Sequence, residues 1–127
     1  MSRFAGDLET AALAAMTRAR AALVLEHPFF GSIALRMALA CDDGCRDLWA
    51  DGRTLACNPA YAAALPHKTL QAALAHEVLH IALGHHVRRG DRGEQLWNKA
   101  CDYAVNGILA DSGFALPEGA PYRQEYR

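Results

Sequence analysis

Apolar residues occupy almost every direction of a helical wheel between Leu70 and Leu83. Leu70, Leu74, Val78 and Ile81 share one stripe, and Ala72, Leu79 and Leu83 lie on the other side. A helix of this pattern is a buried one, so the polar positions it carries stand where they are expensive and have to be paired or metal-bound. Those positions are His76, Glu77 and His80, which together span an arc of about 100°. Pro66 is well placed to start this helix, and Gly84 interrupts its pattern.

The remaining patterns predict elements around that helix. Asp7 to Glu26 is dominated by Ala, Leu, Met and Arg, good helix formers, and His27-Pro28 supplies a stop. After Gly31, the segment Ser32 to Leu39 places Ile33, Leu35, Met37 and Leu39 at period two, which predicts a strand with one buried face. Leu48-Trp49-Ala50, then Asp51-Gly52, then Arg53 to Cys57 predict a hairpin around a type I′ turn. Asn58-Pro59 ends the hairpin, and Pro59 to Leu65 reads as a short helical turn. Asp91 with Glu94 resembles a capping box opening a helix from about Glu94 to Ala110, closed by Gly113. The remainder, from Phe114 to Arg127, reads as irregular and ends without a final element, as an N-terminal portion of a longer protein would. The expected architecture is a single α+β domain over 1–127, with a small, mostly antiparallel sheet packed on the His76-containing helix.

Composition narrows the function. At 127 residues and 52% hydrophobic, the chain can bury a core without disulfides or a structural metal. A net charge of -1 and a pI near 6.6 leave no electrostatic footprint for nucleic acid or an anionic membrane, and the local cluster Arg88, Arg89 and Arg92 reads as a solvated helix end. The carboxylate clusters of two-metal nucleases are missing too. No apolar run is long enough to span a membrane and no signal peptide opens the chain, so a cytoplasmic location is expected. Cys41, Cys45, Cys57 and Cys101 have neither C-x-x-C nor zinc-ribbon spacing and read as reduced thiols.

The chemistry lies in His76-Glu77-Val78-Leu79-His80. H-E-x-x-H on a helix puts two imidazoles one turn apart, where both can reach one zinc at about 2.1 Å. Glu77 is offset from them, so it can hydrogen-bond a bound water and take its proton as the water attacks a carbonyl. The competing reading is a chance match, with histidines merely satisfied in a core.

A catalytic zinc needs a third protein ligand. The favoured one is Asp102, 22 residues after His80, on a face with Asn98 and Asn106 at i-4 and i+4, beside an apolar stripe of Trp97, Cys101, Ala104 and Ile108. The two asparagines are expected to hydrogen-bond the ligands or the helix packing. The rivals are His86 and His85; His86 follows His76 by ten residues, as in H-E-x-x-H-x-x-G-x-x-H proteins, but Gly84 stands one position later than that pattern asks.

These segments resemble a known family, the bacterial metallopeptidase domain found upstream of a von Willebrand factor A-like domain. The resemblance is carried by Asp51-Gly52-Arg53-Thr54 with Asn58-Pro59, by Leu74 to Arg88, and by Trp97 to Asn106, and covers roughly residues 20 to 127. It implies a zincin-like fold in which a helix after the motif brings the last ligand. It also implies a missing downstream domain and an assembly containing an AAA-type ATPase, with no particular substrate.

The function expected is a zinc-dependent metallopeptidase acting on proteins or peptides, with His76, His80 and Asp102 as metal ligands and Glu77 activating water. Substrate would lie as an extra strand along a sheet edge offered by the hairpin at Asp51-Gly52. His85, His86, Arg88 and Tyr103 are candidate donors to the developing oxyanion. The alternative is a zinc-stabilised interaction module in an ATPase-associated assembly with little or no hydrolytic activity, against which the intact Glu77 argues.

Overall fold

The computed structural model of the chain describes residues 3–84 and 94–114, with side chains for 6–84 and 99–114. Helix α1 spans Arg3–Glu26 and buries Ala12, Met16, Ala19 and Leu23, a stripe spaced at three and four residues that lies against the rest of the core. It ends where His27-Pro28 predicts, but the chain does not pass into a strand.

Pro28 instead opens a second helix, α2, over Pro28–Ala34, and the strand expected at Ser32 to Leu39 is shortened to β1, Ala38–Cys41. The physical reason is that the same residues also satisfy a helical period: Phe30, Ala34 and Met37 recur at four and three, and all three are buried. Pro28 at the first helical turn favours this choice. Gly31 enables it, because α2 folds back so closely on α1 that a Cβ at this position would stand 2.4 Å from the Val24 Cα.

The sheet has three strands in the order β1-β3-β2, with β2 at Leu48–Ala50 and β3 at Thr54–Cys57. The hairpin is present as predicted, β2 pairing antiparallel to β3 with Trp49 opposite Ala56. Two details differ. β1 pairs parallel to β3, with Cys41 opposite Cys57, so the sheet is mixed rather than mostly antiparallel. At the tip only Gly52 has positive φ, at 92°, whereas a type I′ turn needs both central residues there. Asp51 Oδ1 accepts from the Arg53 and Thr54 amides at 2.8 Å, and these bonds set the turn.

Asn58 caps the short helix α3, Pro59–Ala64, accepting from the Ala60 and Tyr61 amides, while its own amide nitrogen donates to the Cys45 carbonyl. Asn58-Pro59 thus ties the 42–47 loop to the start of α3. Helix α4, His67–Ala82, buries Leu70, Leu74, Ala75, Val78 and Leu79, and α5 runs from Glu94 to Asp111. The capping box at Asp91, the segment 115–127, and His85, His86, Arg88, Arg89 and Arg92 lie outside the described residues. No helix among the described residues is long and apolar enough to cross a membrane. The four cysteines are free thiols, and burial pushes that of Cys57 up to about 12.

Because the atoms facing Gly31 are backbone, they cannot swing aside. Gly31→Ala is expected to cost about 2 kcal/mol or more by overpacking, read as a lower urea midpoint with an unchanged slope. Wild-type stability in that variant would show that the α1–α2 contact is looser than described.

Candidate metal centre

The site is made by two helices whose registers are fixed by apolar packing. On α4, Leu74, Ala75 and Val78 are fully buried, and His76 and His80, one turn apart, reach α5. On α5 the buried residues are Cys101, Val105, Asn106 and Leu109, whereas Ile108 is 39% exposed. The apolar stripe predicted through Ala104 and Ile108 is therefore rotated toward the Asp102 and Asn106 side. Helix α5 ends in a Schellman arrangement: the Phe114 amide donates to the Leu109 carbonyl and the Gly113 amide to the Ala110 carbonyl, with Gly113 at φ 89°. Phe114 is thereby turned inward, stacked on His27 at 4.0 Å between ring centroids and edge-on to Phe30 at 5.3 Å. That anchor holds the end of α5 at the α1–α2 junction.

With both helices so held, three side chains meet at a point. His76 Nε2 and His80 Nε2 stand 3.0 and 2.9 Å from the same oxygen, Asp102 Oδ1, and 2.9 Å from each other. One turn further along α5, Asn106 Oδ1 lies 2.8 Å from His76 Nδ1. An amide oxygen only accepts, so Nδ1 carries a proton and, in the neutral ring, Nε2 presents a lone pair. Asp102 presents lone pairs as well, so its contact with His76 Nε2 is one that a shared proton or a cation satisfies.

Among the described residues, His76, His80 and Asp102 are the group of metal-ligating type whose atoms converge in this way. The donor set fits a metal ion of borderline softness: two imidazole nitrogens and one carboxylate oxygen, on two elements, open on one side. For bonds of about 2.1 Å, tetrahedral donors stand about 3.4 Å apart, so the observed triangle needs to open by only a few tenths of an ångström. The histidine side chains are 20% exposed and that of Asp102 37%, which leaves the point accessible from solvent.

The electrostatics follow from the crowding. Burial opposes the charged form of His76, but its bond to Asp102, the charge of Glu77 and the bond to Asn106 outweigh this, and its pKa is raised. Burial likewise opposes Asp102, and the two histidines overcome it, holding its carboxyl well below the usual carboxylate range. Glu77 is shifted the other way. Burial pushes its pKa up, His76 and His80 pull it down without cancelling the effect, and Asp47 and Asp102 add to the rise.

All four residues singled out in the sequence are thus in one place, and Asn106 joins them. The side chain of Asn98, the rival ligands His85 and His86, and the candidate donor Arg88 lie outside what is described, and Tyr103 is on α5 beside Asp102. Sequence reasoning missed Asp47 and Tyr61. Asp47 raises the pKa of Glu77, and the phenol of Tyr61 is itself pushed up by burial, by Asp47 and by Glu77. Nothing local marks them, since the hairpin and α3 bring them near α4 only in the folded chain.

These shifts have a sign that can be measured in chelated protein. A raised His76 contributes stability that is complete below its ordinary 6.5 and is lost as pH rises through the raised value. A depressed Asp102 contributes above its ordinary 3.8 and is lost as pH falls. Metal-free protein is therefore expected to gain thermal stability from about pH 8.5 down to about pH 5.5 relative to His76→Gln. Stabilisation by added zinc should shrink over the same range, because the ligands have to be deprotonated. Parallel melting curves for chelated wild type and variant across that range would contradict the His76–Asp102 pair.

Comparison with known proteins agrees with what the geometry suggests. No curated protein and no solved structure matches the chain. A family model described as "Putative metallopeptidase domain" does match, over residues 12–126, a span that contains both helices of the site. The group of His76, His80 and Asp102 lies within the matched span, and the chain belongs to that metallopeptidase-domain family.

Proposed function

We propose that this chain is a zinc-dependent metallopeptidase of zincin-like architecture, with His76, His80 and Asp102 holding the ion and Glu77 as general base. The observation that carries the reading is the meeting of three atoms of metal-ligating type within 3.0 Å, next in sequence to a half-buried carboxylate. A zinc ion held there supplies Lewis-acid chemistry, polarising a carbonyl and acidifying water.

The chain's own groups account for the rest. Glu77 follows His76 directly on α4, and its offset leaves its carboxylate free of the ligand triangle, as a base needs. Its burial raises its proton affinity toward the range in which a carboxylate accepts and returns protons near neutral pH. In the proposed cycle Glu77 removes a proton from the attacking water as the carbon–oxygen bond forms, then delivers it to the departing amine nitrogen. Among the described residues strand β2 pairs only with β3 and packs beside α4, and its other edge is the one proposed to take an extended peptide.

A binding-only role would be served best by a closed set of four protein ligands. Three donors among the described residues and an exposed Asp102 favour the open, catalytic kind. A von Willebrand factor A-like domain and an AAA-type ATPase are proposed partners on the resemblance alone. Affinity purification from native cells that recovers neither would count against them.

Glu77→Gln is expected to retain zinc while lowering peptide hydrolysis by about 10²–10⁴-fold, and Asp102→Ala to lose both. The checks are zinc content of the purified variants and cleavage of mixed peptide libraries. Equal cleavage by wild type and Glu77→Gln would remove the general-base role. Undiminished zinc affinity in Asp102→Ala would transfer the third ligand to His86 or His85.

A further inference from the structure

Asn106 is 3% exposed, one of two buried polar side chains among the described residues, and its oxygen lies 2.8 Å from a ring nitrogen of His76. Burying an amide costs free energy unless it is well bonded, and an apolar residue here would extend the Val105–Leu109 packing at no such cost. The position therefore does something that packing does not require. His76 is held from both sides. Its Nδ1 meets Asn106 and its Nε2 meets Asp102, residues four apart on α5, so its ring bridges two successive turns of the facing helix.

We propose that Asn106 is a positioning residue for the metal site: by accepting the Nδ1 proton of His76 it fixes the ring tautomer and plane so that Nε2 keeps its lone pair at the ligand point. The inference rests on the metal-centre reading above and adds a residue to it. Without this acceptor, a neutral imidazole places its proton on either nitrogen, and the form with Nε2–H cannot ligate. The ring would also lose the bond that stops it turning about its χ2 axis, because Asp102 is common to both histidines and restrains His76 from one side only. An acceptor opposite the ligating nitrogen further increases the electron density the ring offers.

The test uses affinity and spectroscopy rather than turnover. Zinc affinity is measured by competition with a chromophoric chelator for wild type, Asn106→Leu and Asn106→Asp. Asn106→Leu removes the acceptor at similar volume and is expected to weaken binding about 10–100-fold. Asn106→Asp keeps an acceptor and should bind at least as tightly as wild type. In long-range proton–nitrogen spectra of zinc-loaded wild type, the His76 Nδ1 proton should be present and slow to exchange with solvent. That last measurement needs no variant, so it decides the matter even where Asn106→Leu fails to fold. Equal affinity of wild type and Asn106→Leu, equal losses in the Leu and Asp variants, or a rapidly exchanging Nδ1 proton would each overturn the proposal. Wild type that binds no zinc would instead overturn the metal-centre reading itself.

Discussion

The structure depends on one shared atom. Asp102 Oδ1 lies within 3.0 Å of two imidazole nitrogens that are themselves 2.9 Å apart. Each neutral imidazole offers one donor and one acceptor nitrogen, and two ring nitrogens facing one carboxylate oxygen need their helices kept in register, so something has to hold them. The apolar packing does: Leu74, Ala75 and Val78 on one helix and Val105 and Leu109 on the other are fully buried, and Phe114 is seated against His27 and Phe30. The fold thus keeps a point of concentrated lone pairs that a cation or a proton relieves. The bond between His76 and Asp102 displaces their pKa values in opposite directions, His76 upward and Asp102 downward.

Placing the acceptors on two helices separates the roles of neighbouring residues. His76 and Glu77 are adjacent in sequence, yet a helix turns about 100° between them, so one side chain reaches α5 while the other remains outside the triangle. The environment of Glu77 is completed from elsewhere, by Asp47 ahead of β2, and Tyr61 on α3 feels the charge of both carboxylates. The Asn58 cap links these regions, because Asn58 bonds to the backbone at Asp47 and Cys45 and also starts the helix that carries Tyr61. A short loop, a strand and a helix cap thus act together on one carboxylate.

Much of the site was readable before any coordinates. The all-round apolar pattern identified α4 as buried, and burial made His76, Glu77 and His80 stand out from an ordinary pentapeptide. Asp102 could be singled out because a polar residue bordering a core face is unusual. What misled was short-range ambiguity. The eight residues from Ser32 fit period two and period three-to-four alike, and the choice for α2 came from Gly31 meeting the α1 backbone, a contact invisible in the local pattern. The parallel β1–β3 pairing was hidden for a similar reason, since it joins segments separated by the β2 hairpin strand. On α5, Asn106 was expected to hydrogen-bond a ligand or the helix packing and does bond to His76, but its burial rotates the apolar stripe away from Ile108.

The central claim is that one metal ion is held by His76, His80 and Asp102. The most direct measurement is a crystal structure of the zinc-loaded protein with anomalous data across the zinc edge. The account predicts a single peak between α4 and α5, about 2.0–2.2 Å from His76 Nε2, His80 Nε2 and an Asp102 oxygen, with a position open to solvent. A zinc-loaded crystal without that peak, or a peak bound to His76 and His80 but with Asp102 turned away, would contradict it.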